Sequence, residues 1–219
     1  DGVADTSTTV TSSHLTFTKR AFAPGSVLSE WRAVASGPLT SEVITITTSS
    51  AVTYMVGDAF AISGADTTTI FDSNASLPNK GNASADPTFS TTATNTIVIA
   101  GLGIGVATPT PGTGWTLIYN GGGQFFLSMY KIFSSAQTGT TAAVGTGSGG
   151  ENRYVVDGII PASGGGGSCT NTGLPSTGGA PAVPNGSSGS YWSLTGHFVT
   201  PDCSSIPYWR PALGTAGTS

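Results

Sequence analysis

The stretch LSEWRAVAS, Leu28 to Ser36, returns ninety-nine residues later as LSMYKIFSS, Leu127 to Ser135. In both, a Leu-Ser pair is followed by a large side chain, a basic residue and an apolar run, which reads as a half-buried strand written twice. Three further matches keep the order and nearly the spacing. Leu15-Thr16-Phe17 matches Trp115-Thr116-Leu117, Tyr54 matches Tyr154, and Ser63-Gly64 matches Ser163-Gly164, each at an offset of 100. The four together predict a duplicated β unit in which Trp31 and Tyr130 occupy equivalent strands.

Working outward, strand signals dominate the first 160 residues. HLTFTKRAF (14–22), VLSEWRAVA (27–35), EVITITTS (42–49), VTYMVGDAFAIS (52–63), NTIVIAGLGIG (95–105), GWTLIYN (114–120), QFFLSMYKIF (124–133) and NRYVVDGII (152–160) are rich in β-branched and aromatic residues. Several alternate apolar and polar positions, as in Leu15 and Phe17 against Thr16 and Thr18. Pro and Gly punctuate them at Pro24-Gly25, Gly37-Pro38, 109–114 and 121–123. No stretch reads as a long amphipathic helix. The expected fold class is all-β: an antiparallel two-sheet β-sandwich, jelly-roll-like and internally duplicated, with a Pro/Gly-rich C-terminal extension.

The expected domains are a sandwich over residues 1–162, built from half-repeats of about 1–64 and 94–163, and a linker with an aromatic tail over 163–219. From SGGGGSC to PNGSSGS the composition is that of a flexible or extended linker. It then returns to YWSLTGHFVT, long enough for one strand, which is expected either to reach a neighbour's open edge or to fold back onto its own sandwich.

The repeat also exposes a gap. The second half has a strand, TNTIVIAGLGIG, ahead of GWTLIYN, and its counterpart in the first half would end near Asp1-Gly2. Either the chain, which starts with Asp rather than Met, is a mature, cleaved or partial product, or a strand from elsewhere completes the first half. A sheet lacking a strand offers unpaired backbone groups beside an open groove, and both invite strand addition. Upstream residues and the tail strand near Tyr191 to Val199 are the two expected donors.

EWRAVASGPLTSEVITIT, AFAISGADTTTIFDSNASLP, TNTIVIAGLGIG, GWTLIYN and YKIFSSAQTG together resemble a Thr/Gly-rich jelly-roll-like β-sandwich module of bacterial surface and phage virion proteins. The resemblance covers about residues 1–162 and rests on strand and loop patterns without a catalytic signature. It implies an extracellular or virion-surface structural role, and a further strand ahead of the LTFTKRA segment.

Composition points the same way. Charged residues make up 8% of the 219 residues, with 32 Gly and a formal net charge of −4, and mean hydropathy is +0.12. About 25% charge is usual in globular proteins, so hydroxyls supply the wet surface here. Seven scattered Lys and Arg make nucleic acid a poor partner. No apolar run approaches the roughly 18 residues of a membrane span.

Candidate chemistry is thin. Glu30, Glu42, Asp58, Asp66, Asp72 and Asp157 are the carboxylates available for a paired acid and base, about 5–10 Å apart in a glycosidase. Glu30 corresponds in the repeat to Met129, and Asp58 and Asp157 read as residues satisfying turn or bulge backbone. ADTTTIFDSNAS has oxygen ligands enough to suggest calcium but lacks a regular loop spacing, so an Asx-turn loop is expected instead. There is no GxSxG elbow, and His14 and His197 share no metal or triad spacing. The glycines of GLGIG are expected to mark a bulge or close packing. Asn74, Asn82 and Asn185 fit the N-x-Ser pattern.

No catalytic residue, metal or cofactor is therefore expected. Cys169 and Cys203 are expected to form a disulfide closing the Pro/Gly-rich loop, two unpaired thiols being the alternative. Tyr191, Trp192, Phe198, Tyr208 and Trp209 are the candidate partner-binding residues. The expected function is a non-enzymatic structural subunit of an extracellular assembly: a virion decoration, fibre or capsid-associated protein, or a surface filament subunit, assembling by β-sheet edge contacts. Its partners would be copies of itself or other subunits, and surface glycans. The alternatives are a carbohydrate-binding adhesin module and a secreted glycoside hydrolase.

Overall fold

The computed structural model describes residues 8–23, 28–49, 54–104, 108–121, 126–146, 152–162 and 191–200. Among these the chain is all-β, without a helix, and so without a helix long and apolar enough to cross a membrane.

The largest sheet has five strands, in the order β10 (Thr116–Asn120), β11 (Phe126–Phe133), β8 (Thr96–Gly103), β14 (Asn152–Ile159) and β6 (Asn79–Ala83). Each adjacent pair is antiparallel. The central strand β8 is TIVIAGLG, an almost unbroken apolar run, because both its faces are covered. Val98, Ala100 and Leu102 turn to one side and Ile99 to the other. The edge strand β6 is NKGNA, polar and carrying Lys80, which discourages further pairing. Gly101 and Gly103 of GLGIG mark no bulge: β8 pairs without a register break across both.

The second sheet runs β2 (Thr18–Phe22), β3 (Leu28–Val34), β15 (Tyr191–Thr200) and β5 (Tyr54–Ser63). β2 and β3 are antiparallel, but β15 is parallel to both β3 and β5. This departs from the all-antiparallel expectation. The strand read from the tail as YWSLTGHFVT lies at the centre of the first sheet's counterpart.

The two sheets face each other. Ala21, Leu28 and Val56 from the second pack on Phe126 and Val155 of the first, and Phe60 and Ile62 on Ile99, Tyr130 and Ile159. Short strands cover the outer faces. β1 (Thr8–Thr11) pairs with β4 (Thr45–Thr48) and supplies Val10, Ile44 and Ile46 against Trp31. β7 (Thr88–Phe89) pairs with β12 (Thr140–Thr141), and β9 (Thr110–Pro111) with β13 (Val144–Thr146). This layer puts Phe89, Ala142 and Val144 on Leu127, Met129 and Phe133. It closes tightly enough that Cβ atoms at Gly112 and Gly145 would stand 2.4 Å from the Ala143 carbonyl oxygen and 2.6 Å from that of Pro111.

Trp31 and Tyr130 lie in corresponding strands, each second from the edge of its sheet, but at non-corresponding positions. Both hairpins break register once, β2–β3 between Lys19 and Ala21 and β10–β11 between Leu117 and Tyr119. Counted from that bulge, Trp31 opposite Lys19 corresponds to Met129 opposite Leu117, and Arg32 opposite Thr18 corresponds to Tyr130 opposite Thr116. Trp31 accordingly faces the outer β1–β4 layer, whereas Tyr130 lies between the sheets. The sequence match at 99 is one residue out of structural register, and a one-residue slip exchanges faces.

Candidate functional site

Three of the six candidate carboxylates come together between the two sheets. Glu30 on β3 is 3% exposed and Asp157 on β14 is 1% exposed. Asp58 on β5 accepts a hydrogen bond from the Ser128 hydroxyl across the gap, at 2.5 Å. Arg20, the bulged residue of β2, donates from Nε to Asp157 Oδ2 at 2.7 Å and stacks on Phe71, 4.0 Å from the ring centroid. These strand carboxylates are interior groups; the turn role expected for Asp58 and Asp157 does not describe them, although Asp157 also accepts from the Gly158 amide at 2.8 Å.

Burial, and then the Glu30 charge, push the Asp157 carboxyl well above its usual range, against the hydrogen bond and charge of Arg20. Burial and then the Asp58 charge likewise raise the Tyr119 phenol. Leu28, Ser29, Glu30, Ile99, Gly101, Val155 and Asp157 enclose a cavity of about 10 Å³. That volume is at the lower limit for one water molecule, and no sugar ring enters it.

The other carboxylates stand apart. Asp66 Oδ1 accepts from the amides of Thr68 and Thr69, both at 2.7 Å, which is an Asx turn. Asp72, 3% exposed, accepts from the amides of Asn74 (2.9 Å), Thr92 (2.9 Å) and Ala93 (2.8 Å) and from the Thr92 hydroxyl (2.8 Å). Burial raises its carboxyl, but the amides of Ala93, Thr92 and Asn74 outweigh it and the net shift is downward. Glu42 collects the hydroxyls of Ser12 and Ser13 and the His14 amide, with His14 Nδ1 2.6 Å away. The Ser12 hydroxyl and the His14 ring hold it down to about 2 against burial.

Asp72 is the clasp of the loop once weighed as a calcium site, and both of its oxygens already serve N–H or O–H donors. Asp72→Ala orphans those donors and is expected to cost about 2–4 kcal/mol. Millimolar calcium should leave the native melting temperature unchanged; a calcium-dependent rise would show that the oxygens release their donors to a cation. Among the described residues no group of three or more His, Cys, Asp or Glu is placed to hold a metal ion.

The partner-binding candidates divide. Tyr191, Trp192 and Phe198 belong to β15, where Tyr191 is the register partner of Tyr54, Trp192 of Met55, and Phe198 of Ala33 and Ala61. Tyr208, Trp209, Cys169 and Cys203 lie outside the described residues, as does the proposed disulfide. Sequence reading missed that Glu30 and Asp58 share one row of the sheet, as the two register partners of Thr195. The β15 slot and the buried carboxylates are therefore adjoining parts of one site.

That site is a strand slot: β3 on one side, β5 on the other, and the carboxylate cluster beneath. Among the described residues β5 pairs only with β15, so ten residues with a single charge, Asp58, lie at the edge of this sheet. No known family profile, curated protein or solved structure matches this chain.

Proposed function

We propose that the protein is a non-enzymatic structural subunit of an extracellular or virion-surface assembly, a layered β-sandwich whose copies join through β-sheet contacts. The observation that carries this reading is the central place of β15. Residues 191–200 lie within the sheet of residues 18–63, where the repeat in the sequence calls for a strand that the described residues among 8–63 do not supply.

Two features support it. β5 presents a long, nearly uncharged edge of the kind that recruits another strand. The surface is poor in charge and rich in Thr, Ser and Gly, in keeping with the resemblance to bacterial surface and phage virion modules. Among the residues whose burial is described, the exposed large hydrophobics are Val43, Leu117 and Ile132, none of them aromatic.

Sedimentation velocity and electron microscopy between micromolar and millimolar protein test the reading. Ordered oligomers are expected, and a chain ending at Gly189, which lacks the central strand of the second sheet, should lose them. Monomers at every concentration, or identical particles from the shortened chain, would overturn it.

A further inference from the structure

We infer that β15 is an exchangeable strand: in the assembled protein the slot between β3 and β5 holds Tyr191–Thr200 of a second copy. This rests on the assembly reading above and names the contact through which it operates.

The two large sheets share one plan up to their third strand. β10-β11-β8-β14 and β2-β3-β15-β5 each begin with a bulged hairpin and end on a strand that is parallel, across the middle strand, to the second. Only the middle strand differs in kind. β8 is antiparallel to both neighbours, and residues 104–115 carry it on to β10. β15 is parallel to both neighbours and is joined to β14 by residues 163–190. It is the one strand of its sheet whose place is set by no short connection.

The path of the chain separates β15 from its own subunit further. Ala162 donates its amide to the Gly64 carbonyl, next to Ser63, which pairs with Thr200 at the far end of β15. To enter the slot at Tyr191 the chain must return along the whole strand, about 30 Å at roughly 3.3 Å per residue. The 28 residues 163–190 can reach about 95 Å when extended, three times the need. Connections in compact domains are mostly about 2–6 residues.

Residues 163–190 have the Gly, Ser and Pro composition of a linker sequence, and a linker of 28 residues has a root-mean-square span of about 30 Å. In isolated chains β15 therefore closes on its own subunit at an effective concentration of about 1 mM. Exchange takes over where neighbours are held at comparable local concentration, as they are in an assembly. Each exchanged strand brings main-chain pairing along two neighbours, Leu28–Val34 on one side and Tyr54–Ser63 on the other.

The test uses two populations of full-length chain, one with Ser63→Cys and one with Thr200→Cys, both with Cys169→Ser and Cys203→Ser. Those two positions are register partners. A disulfide between populations, seen as a dimer on a non-reducing gel, reports exchange; a chain with both cysteines reports closure within one subunit.

At about 10 µM the inter-chain product should be about 1% of the total. In assembled particles it should be the major product. Removing residues 165–186 leaves a connection that spans at most about 25 Å, too short to close on its own subunit. Inter-chain product at 10 µM should then rise on the order of fiftyfold.

A shortened chain that remains a folded monomer overturns the inference. So do native-length particles in which the disulfide forms only within chains; that result leaves assembly standing through other contacts. Should the shortened chain fail to fold, the native-length mixture decides alone. Inter-chain disulfide at high concentration without ordered particles keeps the exchange and removes the assembly reading.

Discussion

Phe89→Ala lowers the unfolding free energy by about 3–5 kcal/mol, measured by urea denaturation followed in the aromatic circular dichroism. Phe89 is 1% exposed and meets Trp115 at 6.2 Å and Phe133 at 5.6 Å, both edge-on, while those two rings meet each other at 6.2 Å. Such pairs contribute about 0.5–1.5 kcal/mol each beyond simple burial. The residue sits on a two-residue strand, so backbone pairing there cannot compensate; the layer over β8 and β11 is held by this ring. Phe89→Leu, which refills most of the volume, should recover more than half of the loss. Equal losses from both changes would show that volume, not ring geometry, is irrelevant at this site and that the layer yields without it.

Arg20→Met is the second large effect, and its size depends on pH. Removing the guanidinium while keeping an apolar stem over Phe71 takes from Asp157 its ion-pair partner, and stripping one partner from a buried pair costs about 3–5 kcal/mol. Asp157 has a raised pKa, so the folded state binds its proton more tightly than the unfolded chain does. Stability from this group is fullest at acidic pH and falls as pH rises from about 4 through the raised value. Loss of Arg20 raises that value further. The variant should therefore lose its 3–5 kcal/mol near pH 8 and only about 1–2 kcal/mol near pH 5, where the carboxyl is protonated in both proteins. A loss independent of pH would assign the role of Arg20 to its stacking on Phe71 instead.

The strands were legible where the sequence alternates or runs apolar for long enough. Thr96–Gly103 and Phe126–Phe133 are recognisable alone, because a stretch buried on both faces, Val98–Leu102 in one and Phe126–Tyr130 in the other, leaves a nearly unbroken apolar run. HLTFTKRAF over-reads its strand, which starts at Thr18, since Leu15 and Phe17 are apolar for packing under Ala33, Ala35 and Leu39. The covering layers were invisible: a two-residue strand such as Thr88–Phe89 has no period to detect. The repeat was legible as a repeat, but its offset was not: corresponding residues of the two hairpins, such as Thr18 and Thr116 or Trp31 and Met129, lie 98 apart, and the Leu-Ser match at 99 pairs similar letters on opposite faces. The carboxylate cluster depends on pairing between residues 70 to 137 apart in the chain, which local pattern does not encode. The tail strand was readable as a strand and as a candidate donor; its parallel direction was not, since a strand's sequence carries no sign of which way its neighbours run.

That parallel insertion sets an order of events during synthesis. All five strands of the β10-β11-β8-β14-β6 sheet have left the ribosome once Ile159 emerges, whereas β3 and β5 wait for residues 191–200. At about 5–20 residues per second the interval between Ser63 and Thr200 is on the order of ten seconds, long compared with the microseconds in which a hairpin forms. Between the emergence of Ile159 and that of Thr200, about 2–8 seconds at that rate, one sheet has all its strands while the other is still split along its middle, and Tyr191–Thr200 is the segment that seals it.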